Sequence, residues 1–76
     1  RRGRAMPLVT LRIARRATPT TAEQKAKLIA GVTDVVQSVL DKRRESVTVI
    51  IDEVDPDNWG EGGEPVTQRR AKQQRP

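Results

Sequence analysis

Seven apolar residues, Leu28, Ile29, Val32, Val35, Val36, Val39 and Leu40, recur at spacings of three and four through the middle of this chain. That period lays one broad apolar stripe along a helix, with Lys25, Lys27, Asp34, Gln37 and Asp41 mostly away from it. Strand-like runs flank the helix on both sides. Residues 8–14 put Val9, Leu11 and Ile13 on one face and Thr10 and Arg12 on the other, and residues 46–54 hold the β-branched run Val47-Thr48-Val49-Ile50-Ile51. A strand, a helix of about 20 residues and a second strand form a right-handed βαβ unit, whose two strands run parallel.

Local signals set the boundaries. Arg15-Arg16-Ala17-Thr18-Pro19 reads as a loop, and Thr20 with Glu23 predicts a capping box that starts the helix near Thr21. The helix fades at Asp41-Lys42-Arg43-Arg44. The second strand is apolar on both faces in its middle, as in a strand buried on both sides or paired at a subunit interface. Asp55-Pro56-Asp57-Asn58 is a turn, and the glycine-rich stretch from Gly60 to Pro65 suits a tight hairpin or a close-packed loop. From Gln68 onward the chain is expected to fray. The expected organisation is a basic extension at 1–6, one domain at 7–67 and a basic tail at 68–76.

A chain of 76 residues without cysteine or histidine has no access to disulfides, thiol chemistry, His-based triads or the usual zinc ligand sets. Domains this small often need association for stability. One helix on two strands leaves a sheet face and both edges unprotected. A second copy pairing at an edge would extend the sheet to four strands, and further copies would cover the open face, so an obligate homo-oligomer is expected. No run approaches a membrane span and nothing resembles a signal peptide, so a cytoplasmic protein with no cofactor and no metal is the default reading.

The net charge of +5 raises nucleic acid as a partner, but the charge sits at the ends. Arg1, Arg2 and Arg4 lie at one end and Arg69, Arg70, Lys72 and Arg75 at the other, while between residues 7 and 66 the acids outnumber the bases. Single-strand binding also draws on stacking aromatics, and Trp59 is the sole aromatic residue. Solvated basic ends are the preferred account; the rival is a non-catalytic, nucleic-acid-binding oligomer with these ends as arms.

Few residues can carry chemistry. Pro7 opens the first strand, and at a chain start it would present a secondary amine able to act as a general base. Here residues 1–6 precede it, so its nitrogen is an amide with no lone pair to offer, and activity is expected to depend on exposing that amine. Read without further context, it is an ordinary strand-start proline. Arg12, Arg15, Arg16, Arg43 and Arg44 can hold a carboxylate in bidentate pairs and polarise a carbonyl, against a background in which loop arginines are solvated charge. Asp52, Glu53, Asp55 and Asp57 are spaced too irregularly for a metal loop and read as a solvated turn. Trp59 either walls a small pocket or fills a core or interface.

Met6-Pro7-Leu8, Thr21-Ala22-Glu23-Gln24-Lys25, Leu28-Ile29, Val32-Thr33, Val47-Thr48-Val49-Ile50-Ile51, Glu53-Val54 and Asn58-Trp59-Gly60-Glu61-Gly62-Gly63-Glu64 together resemble the 4-oxalocrotonate tautomerase family across residues 6–67. The resemblance implies an α/β fold, a small β-α-β protomer with a C-terminal hairpin that pairs into a four-stranded sheet. Members are typically hexamers built as trimers of dimers. It also implies cofactor-independent enol–keto tautomerisation of a 2-hydroxy-dienoate or related α-keto acid, with an amino-terminal proline shuttling the proton. Pro7 and Trp59 match the family's proline and aromatic positions; Arg15 or Arg16 approximates a carboxylate-binding arginine; Leu8, Arg12, Arg43 and Arg44 complete the substrate-binding candidates. The largest departure from the pattern is the extension of residues 1–6 ahead of Pro7, and three further features depart from it. The stretch between Ile13 and Glu23 is longer, Thr48 stands where an arginine is usual, and Glu61 replaces a hydrophobic residue between the glycines. Two alternatives accompany this reading: a hydratase or dehalogenase of an unsaturated acid, with Glu61 or Asp52 activating water, and a catalytically silent oligomer in which Pro7 stays blocked.

Overall fold

In the computed structural model, which describes residues 6–73, the two strand-like runs and the helix between them form where their patterns put them. Strand β1 is Leu8–Ala14, helix α1 is Ala22–Leu40 and strand β2 is Thr48–Val54. β1 and β2 pair in parallel, from Leu8 against Thr48 to Ala14 against Val54. Hydrogen bonds close the ladder at both ends: the Thr48 N–H donates to the Pro7 carbonyl at 3.0 Å, and the Arg15 N–H donates to the Val54 carbonyl at 2.8 Å.

The helix starts one capping position later than Thr20 and Glu23 suggest. Thr21 is the N-cap, accepting from the Gln24 N–H at 3.0 Å, and the Gln24 side chain accepts from the Thr21 N–H at 2.9 Å. Thr20 is committed elsewhere, because its N–H donates to the Glu53 carboxylate of β2 at 3.0 Å. Glu23 instead lies one turn from Lys27, at 4.0 Å. Thr21→Ala is expected to cost about 1 kcal/mol, the ordinary loss of a side-chain cap, which a urea titration followed by circular dichroism would read. At the far end Asp41 adopts a left-handed conformation (φ 53°) that terminates the helix. A 3-10 turn at Arg44–Ser46 follows, so β2 begins at Thr48 rather than at Ser46.

Alternation along the strands separates two faces. Val9, Leu11 and Ile13 pair with Val49, Ile51 and Glu53, and all six are half-buried. α1 packs over this face: a hollow of about 410 Å³ is lined by Val9 with Leu28, Val32, Val35 and Val36 of the helix, and Lys25 reaches Glu53 at 3.2 Å. The opposite face carries Leu8, Thr10, Arg12, Thr48, Ile50 and Asp52, all exposed. Enclosure is slight throughout. Among the described residues the buried hydrophobic is Val66, at 9% exposure, whereas Val39 is 74%, Leu8 61% and Ile50 48% exposed.

Glu53 is the polar joint of the helix-covered face. Its side chain is 12% exposed, and the Thr20 backbone N–H, followed by Lys25, holds its carboxyl below the ordinary value. A depressed carboxylate pKa stabilises the fold fully above the unfolded value, about 4.3, and loses that contribution as the pH falls through the folded value. Thermal melts from pH 7 to pH 2.5 should therefore fall less steeply below pH 4.3 in Glu53→Gln than in the parent chain.

Beyond β2, a 3-10 turn at Pro56–Asn58 leads into a hairpin of β3 (Gly60–Glu61) and β4 (Glu64–Pro65). Gly62 and Gly63 both have positive φ, 63° and 89°, which the two-residue connection demands. The segment expected to fray is instead a helix, α2, spanning Val66–Gln73. It is tied down along its length. The Val66 N–H donates to the Trp59 carbonyl at 2.7 Å, Thr67 Oγ1 donates to Asp57 at 2.7 Å, and Lys72 reaches Glu64 at 3.0 Å. Residues 1–5, most of the basic extension, lie outside the described residues.

Candidate active site

The parallel ladder sorts the candidate residues onto two ends. Pro7 lies immediately before β1, half-buried, with its carbonyl engaged by Thr48. Beside it a cavity of about 270 Å³ is lined by Met6, Arg43, Glu45 and Ser46. The structure separates the two arginines that follow α1. Arg44 is bound back to the helix, with Nη1 donating to Asp34 at 2.6 Å and to Gln37 at 3.2 Å, whereas Arg43 lines the cavity and makes a loose, exposed pair with Glu45 at 3.8 Å. Leu8 is adjacent to Pro7 but belongs to the open sheet face.

Arg15, Arg16 and Trp59 belong to the other end. Arg15 pairs with Asp55 at 3.2 Å, and its carbonyl accepts from Arg70 Nη1 at 2.9 Å. Arg16 makes no ion pair among the described residues and lines a polar cavity of about 390 Å³ together with Ala17, Thr18 and Arg70. Trp59 is half-buried between the 3-10 turn and the hairpin. Arg12 joins neither end. It pairs across the ladder with its register partner Asp52 at 3.6 Å on the open face. Seven strand residues at about 3.3 Å each separate Pro7 from the Arg16 end by roughly 23 Å, beyond the reach of one small substrate.

Asp52 and Glu53 lie within β2 and Asp55 and Asp57 just beyond it, so the four acids do not form one shared turn. Asp52 pairs with Arg12, Glu53 with Lys25 and Thr20, Asp55 with Arg15, and Asp57 with Thr67. Glu61 is exposed on β3 and Asp52 is half-exposed, so neither is enclosed in the protomer as a base for water would need to be. Sequence reasoning missed Arg70, which it assigned to a frayed tail. Its signal was available in the run Gln68-Arg69-Arg70-Ala71-Lys72-Gln73, in which every residue favours helix.

The family model for tautomerase enzymes matches residues 7–69. The chain belongs to the tautomerase family. A probable tautomerase of Dickeya dadantii, K2, is 54% identical over 65 residues, which are 86% of this chain and 94% of the relative. Among solved structures, DmpI from Helicobacter pylori superposes with a TM-score of 0.79 at 43% identity, covering 86% of this chain and 97% of the neighbour. A 4-oxalocrotonate tautomerase isozyme from Methylibium petroleiphilum superposes with a TM-score of 0.77 at 26% identity, covering 87% and 98%. The β-α-β protomer with a C-terminal hairpin is thus this tautomerase-family fold.

Proposed function

We propose that this chain is a cofactor-independent enol–keto tautomerase acting on a 2-hydroxy-dienoate or related α-keto acid, with Pro7 as the general base whenever its amine is free. The observation that carries the reading is the position of Pro7. It directly follows Met6, which lines a cavity with Arg43, Glu45 and Ser46; Arg43 holds Glu45 only loosely, at 3.8 Å, and a cation near an α-amine would lower its pKa and draw in a carboxylate. Such a base would take the hydroxyl proton of the enol and return a proton to the carbon chain. A guanidinium facing the developing dienolate would stabilise its charge.

The division of candidates between two ends bears on assembly. Arg16 and Trp59 serve the same substrate as Pro7 only if another copy of the chain brings its opposite end to the proline. We therefore read the active unit as a homo-oligomer, the hexamer of paired four-stranded sheets that the family resemblance implies, with each site composed from more than one copy. The free edges of β1 and β2 support pairing, and the exposed Leu8 and Ile50 support burial of the open face. Among the described residues no helix is long and apolar enough to cross a membrane. Ketonisation of 2-hydroxymuconate by the chain beginning at Pro7, set against residues 1–76, tests the reading. Equal turnover by both would remove Pro7 from the mechanism.

A further inference from the structure

Helix α2 brings a second guanidinium to the cavity that Arg16 lines. Its wall is Arg16, Ala17, Thr18 and Arg70, with no acid among them. The neighbouring charges are already matched: Arg15 is held by Asp55, and Lys72 by Glu64. Arg70 uses Nη1 to donate to the Arg15 carbonyl, which fixes its side chain while leaving its other N–H groups uncommitted. Arg16 has no ion-pair partner among the described residues. Two arginines beside a hydroxyl in an otherwise acid-free hollow are matched to an oxyanion, and their planar forks favour a carboxylate.

We propose that Arg70, on α2, is a further specificity residue: it joins Arg16, one of the two arginines that the family resemblance offers for carboxylate binding, and Thr18 in receiving a carboxylate of the organic-acid substrate, so that α2 determines substrate choice. This deepens the tautomerase reading and rests on it for the identity of the ligand. Arg70 approaches from the helix after the hairpin and Arg16 from the loop after β1, so the receptor exists only when α2 is docked.

Fumarate is a suitable probe, because it carries carboxylates but has no enol to convert. Binding is measured by calorimetry on the chain beginning at Pro7, at constant ionic strength, with inorganic phosphate as a second arm. The expected result is saturable fumarate binding, weakened about tenfold or more in Arg16→Gln and in Arg70→Gln, as loss of a charge-assisted pair implies. Arg69→Gln removes the same charge from a neighbouring residue outside the cavity and should bind like the parent. Arg70→Lys keeps the charge and a donor for the Arg15 carbonyl but not the fork, and should still bind more weakly than the parent. Unchanged α-helical circular dichroism in Arg16→Gln and Arg70→Lys keeps the comparison among folded proteins. The proposal is overturned by absent fumarate binding in the parent, by equal affinity across the variants, by an equal loss in Arg69→Gln, or by phosphate binding in place of fumarate. None of these readings needs turnover. Binding that persists in a chain without tautomerase activity would remove the activity and leave the receptor standing.

Discussion

Starting the chain at Pro7 is expected to raise turnover of 2-hydroxymuconate by about two to four orders of magnitude over residues 1–76, the range a positioned general base supplies. In the longer chain the Pro7 nitrogen is an amide and cannot accept a proton. Freed, it becomes an α-amine with an ordinary pKa near 8, which a nearby cation would lower; Arg43 lines the adjoining cavity together with Glu45. Removing residues 1–6 should cost the fold little. Met6 is 72% exposed, and the hydrogen bond that anchors this end uses the Pro7 carbonyl, which the shorter chain retains. The rate should rise with pH through the pKa of the amine. Pro7→Ala in the shorter chain replaces the secondary amine with a less basic and less constrained primary amine, and its limb should move to lower pH with a lower plateau. A pH profile common to the long and short chains would assign the proton to another group.

The second large effect is expected from Ile50→Lys. Ile50 stands at the centre of the open sheet face, 48% exposed in the protomer, paired with Thr10 and flanked along that face by the Leu8–Thr48 pair. With Val66 the buried hydrophobic among the described residues, the protomer has little core of its own. Covering a side chain such as isoleucine or leucine is worth about 1.5–3 kcal/mol, and each copy contributes several. A lysine on that face reverses the sign, because its ammonium would have to leave water without a partner. Sedimentation should find the parent chain as an oligomer with a melting temperature that rises with protein concentration. Ile50→Lys should sediment as a monomer and lose its cooperative melt. A parent chain that is monomeric and cooperatively folded at low micromolar concentration would refute the assembly.

The periodic elements were legible because their signal is repeated. Seven apolar residues in phase fix α1, and a β-branched run fixes β2, so a boundary error of one or two residues leaves both intact. The capping box was misplaced by one because Thr20 and Thr21 are equivalent in sequence, and only the remote Glu53 distinguishes them. The same cause hid the division between Arg15 and Arg16 and that between Arg43 and Arg44. Each pair is adjacent and chemically identical, and its roles are assigned by acids far along the chain: Asp55 for Arg15 and Asp34 for Arg44. Helix α2 was missed for a different reason. It is strongly polar and has almost no apolar stripe, so its stability comes from the anchors at Val66, Thr67 and Arg70 rather than from periodicity. Arg70 went unrecognised with it.

The ladder pairs every residue of β1 with one forty positions further on, Leu8 with Thr48 and Ala14 with Val54. No strand pairing can begin until a long segment has closed on itself, and closure of a flexible loop is entropically slow. α1 changes that search. Its 19 residues rise about 28 Å, close to the length of the strands it returns past, so a helix formed within a microsecond delivers β2 alongside β1 nearly in register. The expected order of events is helix first, ladder second and, in the proposed assembly, encounter between copies last. Refolding should show a fast phase independent of concentration, followed by a slower one that accelerates as the protein is made more concentrated.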